Sequence, residues 1–263
     1  MWIYQIVLGL LINTINIPFD NGANILGSKN APAKLANSFN FLDINKKVEI
    51  NCEQILSGVL FQGYSEVKKS LEDNKFPLIV GGDHTIAACS VAASNEFCLK
   101  NNETLGVLWC DAHADFNTIL TSSSKNIHGM PVAILCGHTL PAISNGPFMS
   151  PAQFGFYGTR DIDCLELLRF QQFNMNILEE QDIDDWLELF DKVHVSFDLD
   201  CLDPCIFNCV NTPVENGKSK IQMKYVFKKI KNSKKLQSLD IVEYNPDKGD
   251  EKEVIEELIK ELF

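Results

Sequence analysis

Six short apolar runs punctuate the chain: Ile12–Ile17, Phe76–Val80, Leu105–Cys110, Phe154–Tyr157, Val193–Leu199 and Leu239–Val242. They are compact, partly β-branched and without a helical period, the pattern of buried strands. Amphipathic stretches fall between them. Ala31-Pro32 opens a short helix, and Gln62–Leu71, the alanine-rich Ile86–Ser94, a segment starting near Pro131, Leu165–Phe173, Ile183–Phe190 and Met223–Ile230 follow as helices. The closing segment lines up Val254, Ile255, Leu258, Ile259 and Leu262 on one helical stripe. Strands alternating with helices predict an α/β fold with a mainly parallel sheet. No linker or internal repeat interrupts the pattern, so residues 1–263 are expected to form one domain. In such sheets ligands sit beyond the carboxyl ends of the strands.

Charge narrows the partners. The formal net charge is −12, and Arg160 and Arg169 are the only arginines. Nucleic acid and anionic membrane surfaces both need a basic footprint, so neither is expected as a partner. The balance suits a cationic small substrate or metal, and equally a solvated acidic surface. Nine cysteines, an odd number with no Cys-x-x-Cys pair in a long chain, argue against a disulfide scaffold and for a reducing, cytoplasmic setting. Cys201, Cys205 and Cys209 recur every four residues, but the Asp203-Pro204 turn makes buried or incidental thiols the better reading than a thiolate site. No apolar run reaches membrane-spanning length. The hydrophobic start, Met1–Ile17, lacks a basic leading region and a small-residue cleavage site, and is read as an N-terminal strand.

The candidate chemistry sits at the strand ends. Leu105–Cys110 runs into Asp111-Ala112-His113-Ala114-Asp115. A buried strand tolerates such an end only if something cationic meets it. On an extended chain positions i, i+2 and i+4 share one side, so Asp111, His113 and Asp115 are expected to converge, with no basic residue between them. Phe76–Val80 ends in Gly81-Gly82-Asp83-His84, and Val193–Leu199 leads into Asp198-Leu199-Asp200, which repeats the spacing. Two imidazoles and four carboxylates result, a set that suits Mn²⁺ ahead of Zn²⁺, Co²⁺ or Fe²⁺. Two divalent ions would balance four carboxylates, and ions about 3.5–4 Å apart can turn a shared water into hydroxide near neutral pH. Each cluster alone reads as well as a turn, a helix cap or a core histidine. Three of them, each at a strand end, do not.

Gly81-Gly82-Asp83-His84, Asp111-Ala112-His113-Ala114-Asp115 and Ser196-Phe197-Asp198-Leu199-Asp200-Cys201-Leu202-Asp203-Pro204 resemble, in order and spacing, the ureohydrolase family, the manganese enzymes that include arginase and agmatinase. The likeness runs from about Pro18 to about Pro246. It implies a three-layer α-β-α fold and hydrolysis of L-arginine to L-ornithine and urea by a metal-bridging hydroxide. It also implies two Mn²⁺ per subunit, and a homo-oligomer, trimer or hexamer. His84, Asp115 and one face of Asp111 and Asp198 would hold the first ion; His113, Asp200 and the other face of Asp111 and Asp198 would hold the second. Glu243 matches the carboxylate that pairs with the guanidinium. His128 matches the histidine that moves protons, and Asp115 joins these two in the catalytic set. Thr212 matches a threonine near the guanidinium.

The far end of the substrate separates arginine from agmatine, which lacks the α-carboxylate. The loop Asn117–Gly129 resembles the arginase loop, which implies that Asn117, Ser122 and Ser124 bind that carboxylate. Asp163 and Glu166 match the acidic pair facing the α-amine. An agmatinase, another guanidino-acid hydrolase or a silent metal- or amino-acid-binding member are the alternatives. Cys201 replaces the family's usual glycine, which crowds a turn beside the metals, and Cys205–Asn211 is an unusual stretch near the pocket rim.

Overall fold

The computed structural model describes residues 10–263; of the apolar start, residues 1–9 lie outside the described part. Eight strands form one sheet: β1 (Ile12–Ile17), β2 (Ile44–Glu49), β3 (Phe76–Gly81), β4 (Leu105–Cys110), β5 (Phe154–Tyr157), β6 (Asn176–Leu178), β7 (Lys192–Asp198) and β8 (Leu236–Val242). Their spatial order is β2-β1-β3-β8-β7-β4-β5-β6, and every neighbouring pair is parallel. Helices α1 (Ala31–Lys34), α2 (Leu56–Glu72), α3 (Ala87–Lys100), α4 (Pro131–Leu135), α5 (Cys164–Gln172), α6 (Ile183–Glu188), α7 (Lys220–Ser233) and α8 (Lys252–Ile259) cover it.

Side-chain alternation along each strand builds two cores. Leu78, Leu108, Val195, Phe197 and Ile241 face one way, against Trp186 of α6, Val226 and Phe227 of α7 and Ile255 of α8. Ile15, Ile79, Val107 and Trp109 face the other, against Val67 of α2, Val91 of α3 and Ile134 of α4. The result is a three-layer α/β architecture. All six predicted strands are present, while β2 and β6 are additions at the two edges. β2 shows only half-buried and exposed positions, and β6 buries only Leu178. Neither carries the apolar run that a two-sided central strand needs. α2 begins earlier, at Leu56, and α3 runs on further, to Lys100, than the apolar pattern alone predicts.

Topology places the site. The chain leaves β3, crosses through α3 and enters β4 three positions away; β7 and β8 fill the gap later. The carboxyl ends of β3, β8, β7 and β4 therefore lie side by side. This reversal of strand order opens a crevice where open α/β sheets bind ligands. Gly82 is needed at the end of β3, because a Cβ there would lie 2.0 Å from the Phe19 carbonyl oxygen. Among the described residues, no helix is long and apolar enough to cross a membrane.

Candidate metal centre

His84 is the hub of the first cluster. Its Nδ1 lies 2.8 Å from Asp111 Oδ2, 3.1 Å from Asp115 Oδ2 and 3.1 Å from Asp198 Oδ2. The atom is fully buried, yet none of these oxygens meets it in hydrogen-bonding geometry. His113 forms the second cluster, with Nδ1 3.3 Å from Asp111 Oδ1 and 3.2 Å from Asp200 Oδ2. Asp111 thus gives one oxygen to each cluster. Two groups of side chains, His84 with Asp111 and Asp115, and Asp111 with His113 and Asp200, bring their ligand atoms close enough to hold an ion. A buried ring nitrogen surrounded by carboxylate oxygens but bonded to none fits a divalent cation, whereas unpaired charges so buried would be strongly unfavourable.

The convergence does not come from an extended chain. β4 ends at Cys110, and Asp111–Asp115 turns through a bend, with Asp115 in the left-handed region at φ +49°. Leu199–Cys201 is likewise a 3-10 turn, with Asp198 Oδ1 accepting from the Asp200 N–H at 2.9 Å. Asp198 Oδ1 takes that backbone bond, while its Oδ2 lies in the His84 cluster. The bends are braced from β5: Thr159 Oγ1 donates to the carbonyls of Asp111 and His113, and the backbone N–H groups of Arg160 and Asp161 donate to Ala112. Cys201 is accommodated in the core, its Sγ occupying the space where a Cβ on Gly158 would stand. Asp83 is no ligand. It caps the turn at His84 by accepting from Thr85 N and also takes the Gly22 N–H.

Behind the ligands lies a support that the motifs did not announce. Trp109 stacks on His84 at 4.1 Å and donates from Nε1 to Asp111 Oδ2. His84 Nε2 meets Ser196 Oγ at 2.9 Å, and Ser196 donates to Asp240 Oδ1. Asp240 Oδ2 meets His194 Nε2 at 2.9 Å, and His194 Nδ1 meets Ser238 Oγ at 2.7 Å. Ser196, Asp240, His194 and Ser238 are buried between β7, β8 and α3. With Ser196 Oγ accepting from His84 Nε2–H, the lone pair of Nδ1 faces the carboxylates, as a metal ligand requires. The polar positions His194, Ser196 and Asp198, alternating inside an otherwise apolar strand, were the available signal. Ser196→Ala is expected to weaken divalent-metal affinity by about 10–100-fold, measurable by competition with a chelating dye.

A cavity of about 410 Å³ opens over the clusters. His84, His113, Asp115, Asp198 and Asp200 line it, as do Asn117, Ser122, Ser124 and His128. Asp163, Glu166 and Thr212 complete the predicted set on its wall. Thr212 Oγ1 donates to Asp200 Oδ2, and Asn117 Nδ2 donates to Asp163 Oδ2. Glu166 is already half committed, its Oε1 accepting from Phe116 N at 2.7 Å. Burial first, then the nearby Asp115, pushes its carboxyl up to about 8. Asp111 and Glu243 stand behind the wall. Glu243 Oε1 accepts from His84 N and lies 3.0 Å from His128 Nδ1, while its buried Oε2 has no hydrogen-bond partner among the described residues. Burial works against a charged His128, but the hydrogen bond and charge of Glu243 outweigh it and push the imidazole up to about 9. A larger cavity of about 580 Å³ beside Asp20, Lys29, Glu49 and Cys52 holds no imidazole and none of the predicted residues.

Fold and site together define a three-layer α/β protein with a carboxylate–imidazole centre for divalent metal at the switch point of its sheet. Residues 12–263 match the model of the Arginase family, and the chain belongs to that family. It is 35% identical over 197 residues to an arginase of Bacillus subtilis (strain 168), an alignment covering 69% of this chain and 65% of that protein. The alignment with an arginase of Saccharomyces cerevisiae, at 34% identity over 207 residues, covers 70% of this chain and 61% of the yeast protein. The sequence matches thus span less than two thirds of these relatives. The crystal structure of Entamoeba histolytica arginase in complex with L-ornithine superposes with a TM-score of 0.87 at 27% identity, covering 96% of this chain and 98% of that one.

Proposed function

We propose that the protein hydrolyses L-arginine to L-ornithine and urea at a centre of two Mn²⁺ ions. The observation that carries this reading is the sharing of Asp111 between two histidine–carboxylate clusters beneath one acidic cavity. The donor set, carboxylates with imidazoles and no thiolate, favours manganese. His84, Asp111, Asp115 and Asp198 would hold one ion, and His113, Asp111, Asp198 and Asp200 the other. When bound, such a pair supplies Lewis acidity that makes water a nucleophile near neutral pH.

The remaining work falls to this chain's side chains. The free Oε2 of Glu243 is a buried carboxylate oxygen suited to a guanidinium, whose planar fork pairs well with carboxylates. His128, whose imidazole the neighbouring Glu243 favours in its charged form, is poised to deliver a proton to the departing amine. Asn117, Ser122 and Ser124 offer neutral donors to the α-carboxylate, and Asp163 with the uncommitted oxygen of Glu166 faces the α-amine. Glu243→Gln removes the charge that serves both His128 and the guanidinium. Losing one member of a buried charged pair costs about 2–5 kcal/mol, so kcat/KM for arginine is expected to fall roughly 30-fold or more.

The reading is tested by urea release from purified, manganese-loaded protein offered L-arginine or agmatine. Preference for arginine supports it. Preference for agmatine would transfer the activity to the decarboxylated substrate and remove the role given to Asn117, Ser122 and Ser124. No urea from either would leave a binding protein. The subunit arrangement and a cytoplasmic setting belong to the same proposal, the former open to sedimentation analysis.

A further inference from the structure

The loop from Asn117 to Asn126 presents its serines to the cavity, and two fastenings hold its shape. The first is local: Thr118 N donates to Thr121 Oγ1 at 2.8 Å, and Thr121 Oγ1 donates to Asn117 Oδ1 at 2.9 Å. The second is Lys125. Its Nζ reaches back six residues to donate to the Ile119 carbonyl at 2.6 Å, and its backbone N–H donates to Ser122 Oγ at 3.0 Å. Lys125 adopts φ +61°, a left-handed conformation that glycine takes freely and a lysine takes only at a cost. A residue kept there against its backbone preference, with its side chain closing the loop, points to a role for that side chain.

The hydrogen bonds say what the fastening does. Ser122 Oγ accepts from Lys125 N, and Ser124 Oγ accepts from Asn126 N at 3.2 Å. Each hydroxyl oxygen therefore has one lone pair occupied by a backbone donor. The two hydroxyls lie 3.4 Å apart, so at most one of their protons is shared between them. At least one O–H is left to donate outward. Hydroxyls polarised in this way suit an anionic group. The rest of the cavity does not, because Asp115, Asp163, Glu166, Asp198 and Asp200 line it. Lys125 is the one Lys or Arg between Asn117 and Ile127, and its neighbours Ser124 and Asn126 both line the cavity.

We propose that Lys125 is a positioning residue for substrate choice, holding Ser122 and Ser124 as outward donors so that the cavity takes an amino acid bearing an α-carboxylate over its decarboxylated amine. This rests on the reading of the cavity as an arginine site, and the test separates the two. Binding of L-ornithine and of putrescine to manganese-loaded protein is measured by calorimetry for the wild type, Lys125→Met and Lys125→Arg, alongside arginine kinetics. Lys125→Met is expected to weaken ornithine binding and raise KM for arginine about 10-fold, with kcat within about twofold and putrescine binding unchanged. Lys125→Arg, which keeps a long cationic donor, should restore most of the ornithine affinity and report on folding. Equal loss for ornithine and putrescine, a fall in kcat without a change in KM, or wild-type affinity in Lys125→Met would each overturn the proposal. A wild type that binds ornithine over putrescine but releases no urea would sink the hydrolytic reading alone. A wild type that binds neither, or shows no preference for ornithine, would overturn the role given to Lys125.

Discussion

Asp111→Ala is expected to abolish urea release from arginine, with a loss of at least about 1000-fold in kcat/KM. The size follows from the residue's double duty. Its Oδ2 lies 2.8 Å from His84 Nδ1 and its Oδ1 3.3 Å from His113 Nδ1, so both clusters lose a ligand at once. The same two oxygens accept from Trp109 Nε1 and His113 N, so the bend that aims His113 is loosened too. A metal centre contributes several kcal/mol of transition-state stabilisation, and each 1.36 kcal/mol is tenfold in rate. Asp115→Ala touches only the His84 cluster and should leave one ion in place. Elemental analysis of the two variants checks the distinction: about two ions in the wild type, about one in Asp115→Ala, fewer in Asp111→Ala. Full metal content and activity in Asp111→Ala would contradict the shared-ligand account.

The second large effect is on stability. Packing so many acids together makes the metal-free protein sensitive to pH, and the direction follows from the shifts. Burial, followed by the charge of a neighbouring carboxylate, pushes Asp83 up to about 7, Asp115 to about 6 and Glu166 to about 8. Unfolded, these carboxyls titrate near 4. Between that pH and the raised values the folded chain holds protons the unfolded chain has released, so stability falls as pH rises. For His84 and His113, burial favours the neutral ring, but the surrounding carboxylates outweigh it and raise both imidazoles. Their stabilisation is likewise lost as pH climbs through the folded values. Asp111 alone among the six ligands is shifted down, held ionised against its burial by the two imidazoles. The metal-free protein should therefore melt at a lower temperature at pH 8 than at pH 5.5. Divalent metal should reverse the order, since its ligands must be deprotonated to bind. At an ion concentration about 1,000 times Kd each site adds about 4 kcal/mol. With roughly 2–4 °C per kcal/mol for a chain of this size, two sites should raise the Tm at pH 8 by roughly 15 °C or more. A Tm indifferent to Mn²⁺ at that pH would mean the clusters bind no ion.

Much of this site was legible because metal chemistry forces unusual residues into unusual places. Acids and histidines directly after apolar strands have few other uses, and the strands themselves announce their burial on both faces. What the one-dimensional pattern misrepresents is geometry. Alternation suggested that Asp111, His113 and Asp115 line one side of an extended chain, but a bend with a left-handed Asp115 gathers them instead. The edge strands β2 and β6 escaped notice since an edge needs little apolar sequence. The chain from Ser196 through Asp240 to His194 was hidden for a different reason. Ser196 and His194 lie on β7 and Asp240 on β8, and only the parallel register of the two strands sets Ser196 beside Asp240. The special conformation of Lys125 leaves no mark on composition or periodicity. Glu166 lines the cavity, but the hydrogen bond from Phe116 N that occupies one of its oxygens comes from tertiary contact alone.

The most direct measurement is anomalous X-ray scattering from crystals grown with Mn²⁺. Two peaks about 3.5–4 Å apart, one among His84, Asp111, Asp115 and Asp198 and the other among His113, Asp111, Asp198 and Asp200, are predicted. A map with no peak beside Asp111, in protein that is otherwise folded as described, would contradict the assignment of these side chains to a two-metal centre.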